Sequence, residues 1–419
     1  MQSDGDAAGS DAASNAVQAD RVPWARLSAC AGVYTAPTAL VVAPALADAR
    51  VLAATGWAPG ALTLASGLMF VASAPGAIVG SSAADRLGRR PVAFWTTIGC
   101  GICLAVGAAA PRRGAGLYVA MRVIGGAVSG GTAPTAFSWA MELTPLKART
   151  RATTAMNVLW VLGPLLIAAW HVVTRRLSWR VEALGLAAIP LVAAAVARLS
   201  VPESPEFLAA RAAPPPQRES EVYGIVGHLD PDVAAADAVA PTEPVEAPLR
   251  SPLARLWHEH RRPLVPLILS WACVSASYYG LAYSAGALSK RVVLNFVLLN
   301  LADVPGYFAA GYLTKLAGTE PVMVLFSCLA GASLVLVALE APAFVGIFGK
   351  FCTAGMFQQI YAMTTERFPA EVRATAFGVC RVAAMLATFF APPLARKAER
   401  DSAAFLVFAL MAAVVAVSA

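Results

Sequence analysis

The chain has 419 residues and a formal net charge of +7, and 58% of its residues are hydrophobic while only 14% are charged. Water-soluble domains contain about 25% charged residues, and a compact body could not hide so much apolar surface from water. The composition therefore excludes an ordinary soluble protein. It favours a helical membrane protein, whose apolar segments of about 20 residues cross the bilayer.

The positive charge does not indicate nucleic-acid binding, because Lys and Arg lie in short loops between apolar segments, where they set membrane topology. The seven cysteines lie within apolar segments and are expected to be small buried side chains. The four histidines lack the companions of a metal site, and no glycine-rich phosphate-binding loop occurs. We therefore expect no metal, no cofactor and no enzyme activity.

Twelve apolar segments predict twelve transmembrane helices in an all-α fold, with both termini on the cytosolic side. In chain order they cover residues 26–46, 58–80, 91–110, 115–140, 152–173, 178–200, 263–288, 291–313, 321–340, 342–364, 372–394 and 402–419. The predicted organisation is a disordered cytosolic tail (1–25), a six-helix bundle (26–200), a cytosolic linker (201–262) and a second six-helix bundle (263–419).

The two bundles share a local sequence pattern. The fourth segment is followed by ELTPLKAR, from Glu142 to Arg149, and the tenth by ERFPAEVR, from Glu366 to Arg373. Both read E-x-x-P-x-x-x-R at turns six helices apart, which indicates an internal repeat. Carriers built from such repeats bind their substrate between the two halves, near the middle of the membrane.

Two charged loops resemble signatures of the major facilitator superfamily. SAADRLGRR, at residues 82–90, is similar to the G-x-x-x-D-R-x-G-R-R loop between the second and third helices. VPESPEFL, at residues 201–208, is similar to the P-E-S-P-R-W-L element after the sixth helix, with Glu206 in place of the usual Arg. The resemblance implies the major facilitator fold, in which two pseudo-symmetric six-helix halves expose a central cavity alternately to each side.

The charged turns at the cytosolic helix ends are predicted to form ion pairs that bias this conformational equilibrium. Asp85 is expected to contact a helix N-terminus or an Arg of the other half. Each exposed pair contributes at most about 1 kcal/mol, and the simpler alternative is that the arginines only anchor the topology. The candidate gating residues are Asp85, Arg86, Gly88, Arg89, Arg90, Glu142, Arg149, Glu203, Glu366 and Arg373.

Three further stretches resemble the organic ion transporters of solute carrier family 22. WACVSASYYGL at residues 271–281 is similar to their seventh helix, and LNFVLLNLADVPGY at 294–307 is similar to their eighth. Residues 349–379 are similar to their tenth and eleventh helices and the turn between them. These three stretches favour this family over the sugar porters, and all five motifs in the right order indicate the superfamily.

Ionisable residues inside the predicted helices are functional candidates, because each costs about 2.5–3.5 kcal/mol to insert. Asp303 is the strongest, since the resemblance implies a substrate-facing acid there; the alternative is a structural pair with Lys350. Arg122 in the fourth helix is expected either to tether helices or to take part in transport. Arg381 in the eleventh has no counterpart that aligns with the family.

Uncharged candidates complete the predicted substrate site. Tyr278 and Tyr279 align with a Tyr-Tyr pair that lines the family's cavity, and one of the two is expected to face elsewhere. Asn157 aligns with a polar amide position. Met385 stands where the family's cation transporters carry Asp and its anion transporters carry Arg. The usual determinant of substrate charge is therefore absent.

The predicted function is transport of small organic ions by alternating access, facilitative and without ATP, in a multi-pass protein of the plasma membrane. Asp303 favours an organic cation or zwitterion over an anion. The alternatives are a sugar-porter-like carrier and a transporter-like receptor that binds without translocating; the short loop at residues 47–57 is compatible with the receptor. The expected partners are the substrate and the lipid bilayer, and a single chain is expected to suffice.

Overall fold

A computed structural model describes residues 22–212 and 252–419, which we call the N-terminal half and the C-terminal half. Over these ranges the secondary structure is helical and contains no strand, which confirms the all-α fold expected from the sequence. The main helices form twelve successive spans. Spans 1 to 6 are Trp24–Val41 continued by Pro44–Thr55, Pro59–Leu87, Arg89–Ala108, Gly116–Glu142, Arg149–Trp160 continued by Leu162–Val173, and Trp179–Ser200; spans 7 to 12 are Pro252–Tyr283, Val292–Leu301 continued by Asp303–Ala317, Thr319–Ala338, Ala343–Arg367, Ala370–Thr388 continued by Ala391–Ala398, and Phe405–Ser418.

Most spans are long and apolar enough to cross a membrane. By length and composition, eight helical segments of the described ranges qualify, and span 1 also qualifies if its two parts, bent by 40°, are one crossing. Span 12 is apolar but 14 residues long. Spans 4 and 10 reach 27 and 25 residues and carry several buried polar side chains. Polar groups at this depth are typical of helices that face a transporter's interior.

The ends of the predicted linker, residues 201–262, are helical. The helix Pro205–Ala212 follows span 6, and the helical segment Pro252–Tyr283 that contains span 7 is kinked at His260. Residues 213–251 lie outside the described residues, as does the predicted tail up to residue 21.

The predicted short loop at residues 47–57 is mostly helical. Alanine, leucine and arginine dominate this stretch, and all three are strong helix formers. The helix Pro44–Thr55 begins with a proline, which is favourable at a first helical position, and ends at Gly56, whose φ of 69° is left-handed. As a result Asp48 is held on a helix with its side chain buried.

Spans 2 and 4 pack backbone to backbone through glycines. Gly80 lies against Gly131, and a Cβ added at Gly130 would collide with the backbone of Ser73 and Ala77. Two helices can approach this closely only where small residues face each other. The contact joins two helices that form one wall of the cavity described below.

The two halves meet along spans 2 and 11 and along spans 5 and 8. At the first of these seams Gly67 packs against the ring and the carbonyl oxygen of Phe389. Phe70 of span 2 lies 5.1 Å from Tyr279 of span 7, measured between ring centroids. The helices that face each other across these seams enclose a cavity that both halves line.

Candidate functional site

A cavity lies between the halves, lined by spans 1, 2, 4 and 5 on one side and by spans 7 and 11 on the other. Its walls include Phe70 and Trp160 from the N-terminal half, and Tyr279, Arg381 and Met385 from the C-terminal half. The structure thus brings three of the predicted residues to one cavity.

Arg381 is the one charged side chain among the described residues that line this cavity. It is half-buried and donates a hydrogen bond to the hydroxyl of Tyr361 over 3.1 Å. The phenols of Tyr34 and Tyr279 lie within electrostatic reach of the guanidinium. None of the ion pairs formed between described side chains includes Arg381. Within the described part of the chain, its positive charge is therefore not balanced by a carboxylate.

Asp303 and Lys350 form an ion pair in the C-terminal half. Lys350 Nζ lies 3.0 Å from Asp303 Oδ1, and the side chains are 0% and 1% exposed respectively. The ammonium also sits 3.0 Å from the ring centroid of Tyr278, which makes a cation–π contact. The hydroxyl of Tyr278 donates to Asp303 Oδ2 over 2.6 Å. In the structure Asp303 is therefore paired with Lys350, which was the alternative to a substrate-facing acid.

The two neighbouring tyrosines of span 7 face different surroundings. Tyr279 lines the central cavity, whereas Tyr278 points to Asp303 and lies 3.4 Å from the hydroxyl of Tyr307. Neither Asp303, Lys350 nor Tyr278 lines the cavity. Consecutive residues on a helix point about 100° apart, which accounts for this division.

The remaining predicted residues of the membrane interior occupy three places. Asn157 of span 5 donates a hydrogen bond to Gln358 Oε1 of span 10 over 3.0 Å, so it links the halves. Met385 is buried in the cavity wall, one turn beyond Arg381. Arg122 is 4% exposed and donates to Ser66 Oγ over 3.3 Å, which connects spans 4 and 2.

An ion pair that the sequence analysis did not anticipate joins the halves at the face predicted to be extracellular. Arg396 Nη2 of span 11 lies 2.7 Å from Asp48 Oδ2 of span 1, and we call this pair the outer latch. Beside it, the hydroxyl of Tyr283 donates to the carbonyl oxygen of Val41. Among the ion pairs between described side chains, the outer latch alone connects the two halves.

The charged turn between spans 2 and 3 is organised within the N-terminal half. Arg89 Nη1 lies 2.6 Å from Asp85 Oδ1, and Arg89 Nε donates to Glu142 Oε1 over 3.1 Å. Glu203 Oε1 accepts hydrogen bonds from the backbone N–H groups of Arg89 and Arg90, over 2.9 and 3.1 Å. Glu203 thus satisfies the free N–H groups at the start of span 3.

Three more gating candidates have different surroundings. Glu206, which stands where the family has Arg, forms an exposed ion pair with Arg149 of the same half. Arg86 is exposed. Arg373 lies at the start of span 11, and its side chain is outside the part of the chain that the structure describes. The predicted contact of Asp85 with an Arg of the other half stays a prediction.

The internal repeat seen in the sequence has a structural counterpart. A single glycine separates spans 2 and 3, Gly88 with φ 107°, and a single glycine separates spans 8 and 9, Gly318 with φ 86°. Glu142 at the end of span 4 contacts the residue that follows Gly88. Glu366 at the end of span 10 accepts a hydrogen bond over 2.6 Å from Thr319, which follows Gly318. The equivalent turns therefore share one arrangement.

We expect Gly88→Ala to destabilise the protein in detergent by about 1–3 kcal/mol, because a side chain at this positive φ is strained. The new Cβ would also collide with the carboxylate of Glu203. Gly318→Ala is the matched control: its φ is similar, but the nearest atom to its Cβ lies 4.0 Å away. Melting temperatures should fall for both variants and further for Gly88→Ala; equal falls would contradict the role given to Glu203.

A central cavity lined by two helical halves, with buried ionisable groups in apolar spans, defines a membrane transporter. The family model described as the Major Facilitator Superfamily matches residues 27–302. The chain therefore belongs to this superfamily and is a multi-pass membrane transporter.

Relatives and solved structures agree with this assignment. The chain is 26% identical over 336 residues to the putative niacin/nicotinamide transporter NiaP of Bacillus subtilis, covering 77% of this chain and 76% of that one. It is 24% identical over 342 residues to solute carrier family 22 member 6-B of Xenopus laevis, covering 76% of this chain and 59% of that one. A partially occluded, inward-open structure of the xylose transporter XylE from E. coli superposes with a TM-score of 0.67 at 16% identity, over 94% and 97% of the two chains. The likeness to XylE shows the fold alone.

Proposed function

We propose that this chain carries small organic ions across the membrane by alternating access, driven by the substrate's own gradient. The observation that supports this proposal is the cavity between the halves, which has aromatic walls and one unbalanced charge, Arg381. The outer latch and the Tyr283–Val41 hydrogen bond hold the halves together on the outer side of this cavity. Contacts of this kind must break when the cavity opens outward.

The relatives support an organic ion as the substrate. Their names assign niacin or nicotinamide to the Bacillus protein and place the Xenopus protein in solute carrier family 22. The chain spans 59% of the length of the Xenopus protein, so the transport of similar substrates by this chain is a proposal. An uncharged sugar would leave Arg381 unbalanced, which favours an ion over a sugar.

The proposal can be tested with the purified full chain in liposomes. We expect saturable uptake of at least one of two labelled ions, tetraethylammonium and nicotinate, and no uptake of glucose. Preloading the vesicles with the same unlabelled probe should accelerate its uptake, because a carrier reorients with substrate bound. Saturable binding without any flux would instead identify a receptor, and uptake of glucose alone would identify a sugar porter.

A further inference from the structure

We infer that the transported substrate is a small organic anion with an aromatic or otherwise planar body, and that Arg381 is the residue that selects its charge. This inference rests on the proposed function, since it names the substrate class of the same cavity. It differs from the cation that Asp303 favours when the sequence is read alone.

The charge that a substrate meets in the cavity is positive. Arg381 lines the cavity as its one charged side chain in the described part of the chain. It donates a hydrogen bond to a neutral phenol, that of Tyr361. A guanidinium at membrane depth without a counter-charge is energetically unfavourable. An anion in the cavity would remove this penalty, whereas a cation would add to it.

Asp303 is not open to an organic cation. Its carboxylate is 1% exposed and lies against Lys350, while the hydroxyl of Tyr278 donates to its second oxygen. An entering ammonium would have to displace Lys350, whose own charge would then be buried and unpaired. The Asp303–Lys350 pair is neutral as a unit and lies outside the cavity walls. The net charge that faces the substrate is therefore that of Arg381.

The cavity walls suit a planar body. Phe70, Trp160 and Tyr279 line the cavity, and the ring centroids of Phe70 and Tyr279 lie 5.1 Å apart. These rings supply apolar contact area for a substrate ring. A guanidinium binds a carboxylate through two parallel hydrogen bonds. These bonds fix the orientation of the carboxylate group, and a rigid, planar molecule is then oriented as a whole, whereas a flexible one is not.

Both halves contribute to this arrangement, which links binding to movement. Arg381 belongs to span 11, while Phe70 and Trp160 belong to spans 2 and 5 of the other half. An anion that bridges Arg381 and these rings would make contacts that exist only while the halves are close together. Substrate binding would then favour the state in which the cavity is enclosed.

The decisive test compares two substrates that differ in charge but share a ring. In liposomes containing the full chain, we expect nicotinate to be taken up at least tenfold more efficiently than nicotinamide, and tetraethylammonium not to be taken up. An imposed inside-positive potential should accelerate nicotinate uptake, and an inside-negative one should slow it, because one negative charge crosses. Neither measurement requires a variant.

Variants test the assignment to Arg381. We expect Arg381→Gln to lower the apparent affinity for nicotinate by about tenfold or more and to bring the nicotinate-to-nicotinamide ratio close to one. Arg381→Lys should retain part of the preference, because it keeps the charge but loses the two-pronged geometry. If Arg381 had a purely structural role, its substitution would lower the uptake of nicotinate and of nicotinamide together and leave their ratio unchanged. That result would overturn the assignment.

The outcomes separate this inference from the proposed function. Uptake of tetraethylammonium without uptake of nicotinate would overturn the anion inference while the chain remained an organic ion carrier. Equal uptake of nicotinate and nicotinamide would also overturn it. If none of the probes crossed the membrane, the proposed function would fail, and the inference would fail with it.

Discussion

Lys350→Met is expected to produce the largest loss of stability of any single substitution in the membrane interior. It leaves the carboxylate of Asp303, 1% exposed, without its counter-charge. Removing one partner of a buried ion pair typically costs about 3–5 kcal/mol, because the remaining charge stays buried. We expect a large fall in melting temperature in detergent and the loss of most transport activity.

The double variant Asp303→Asn with Lys350→Met should recover most of the lost stability, since no unpaired charge then remains. The hydroxyl of Tyr278, which donates to Asp303 Oδ2, can still donate to the amide oxygen of the new Asn. Glu206→Ala, which breaks an exposed pair with Arg149, is the control and should cost about 1 kcal/mol or less. A double variant as unstable as Lys350→Met would show that the two charges are not coupled.

The second large effect is expected at the outer latch. Arg396→Asp places two carboxylates together at the seam, so the outer face should open more often. A partly buried ion pair worth about 1–2 kcal/mol corresponds to a shift of about 5–30-fold in a two-state equilibrium. Ser66 is buried near Arg122 beneath this seam and is a suitable reporter position.

We therefore expect Ser66→Cys to react several-fold faster with a membrane-impermeant maleimide when Arg396→Asp is also present. The exchanged pair, Asp48→Arg with Arg396→Asp, should restore slow labelling, because the attraction is restored with its direction reversed. The same chain without the Ser66 substitution measures the background from native cysteines. Unchanged labelling in Arg396→Asp would mean that the pair does not hold the outer seam closed.

The two pairs have different tasks in the proposed transport cycle. Asp303 and Lys350 lie within one half, so their contact can persist while the halves move. Asp48 and Arg396 lie in different halves, so their contact must break when the outer side opens. Arg381, which has no carboxylate partner among the described residues, is left to the substrate. On these proposals, separate charges serve stability, gating and substrate recognition.

Some of these features were predictable from local sequence. Apolar runs of helix length are properties of consecutive residues, so they predicted an all-α membrane protein, and the resemblance of short charged loops to known signatures predicted the major facilitator type. The E-x-x-P-x-x-x-R repeat predicted equivalent turns, and in both halves the Glu contacts the residue after a glycine. These predictions succeed because membrane insertion and helix formation depend on short stretches of sequence.

The partners of the charged residues were not predictable in the same way. Asp48 and Arg396 are 348 positions apart, and no periodicity connects them. Asp48 was assigned to a loop, yet its stretch forms a helix that buries its side chain. Glu206 gave no sign that its partner is Arg149 of the same half.

The sequence by itself determined that the chain lies in a lipid bilayer, that it is helical, to which transporter family it belongs and which charged residues are functional candidates. Only the tertiary structure decided which of those charges are paired with each other and which one faces the cavity. The physical reason is that the cost of inserting a charge depends on the residue alone, whereas its compensation depends on which distant helix lies within a few ångströms. Asp303 and Arg381 are both costly to insert into the membrane. Only their neighbours show that Asp303 is paired with Lys350, whereas Arg381 hydrogen-bonds to a neutral phenol.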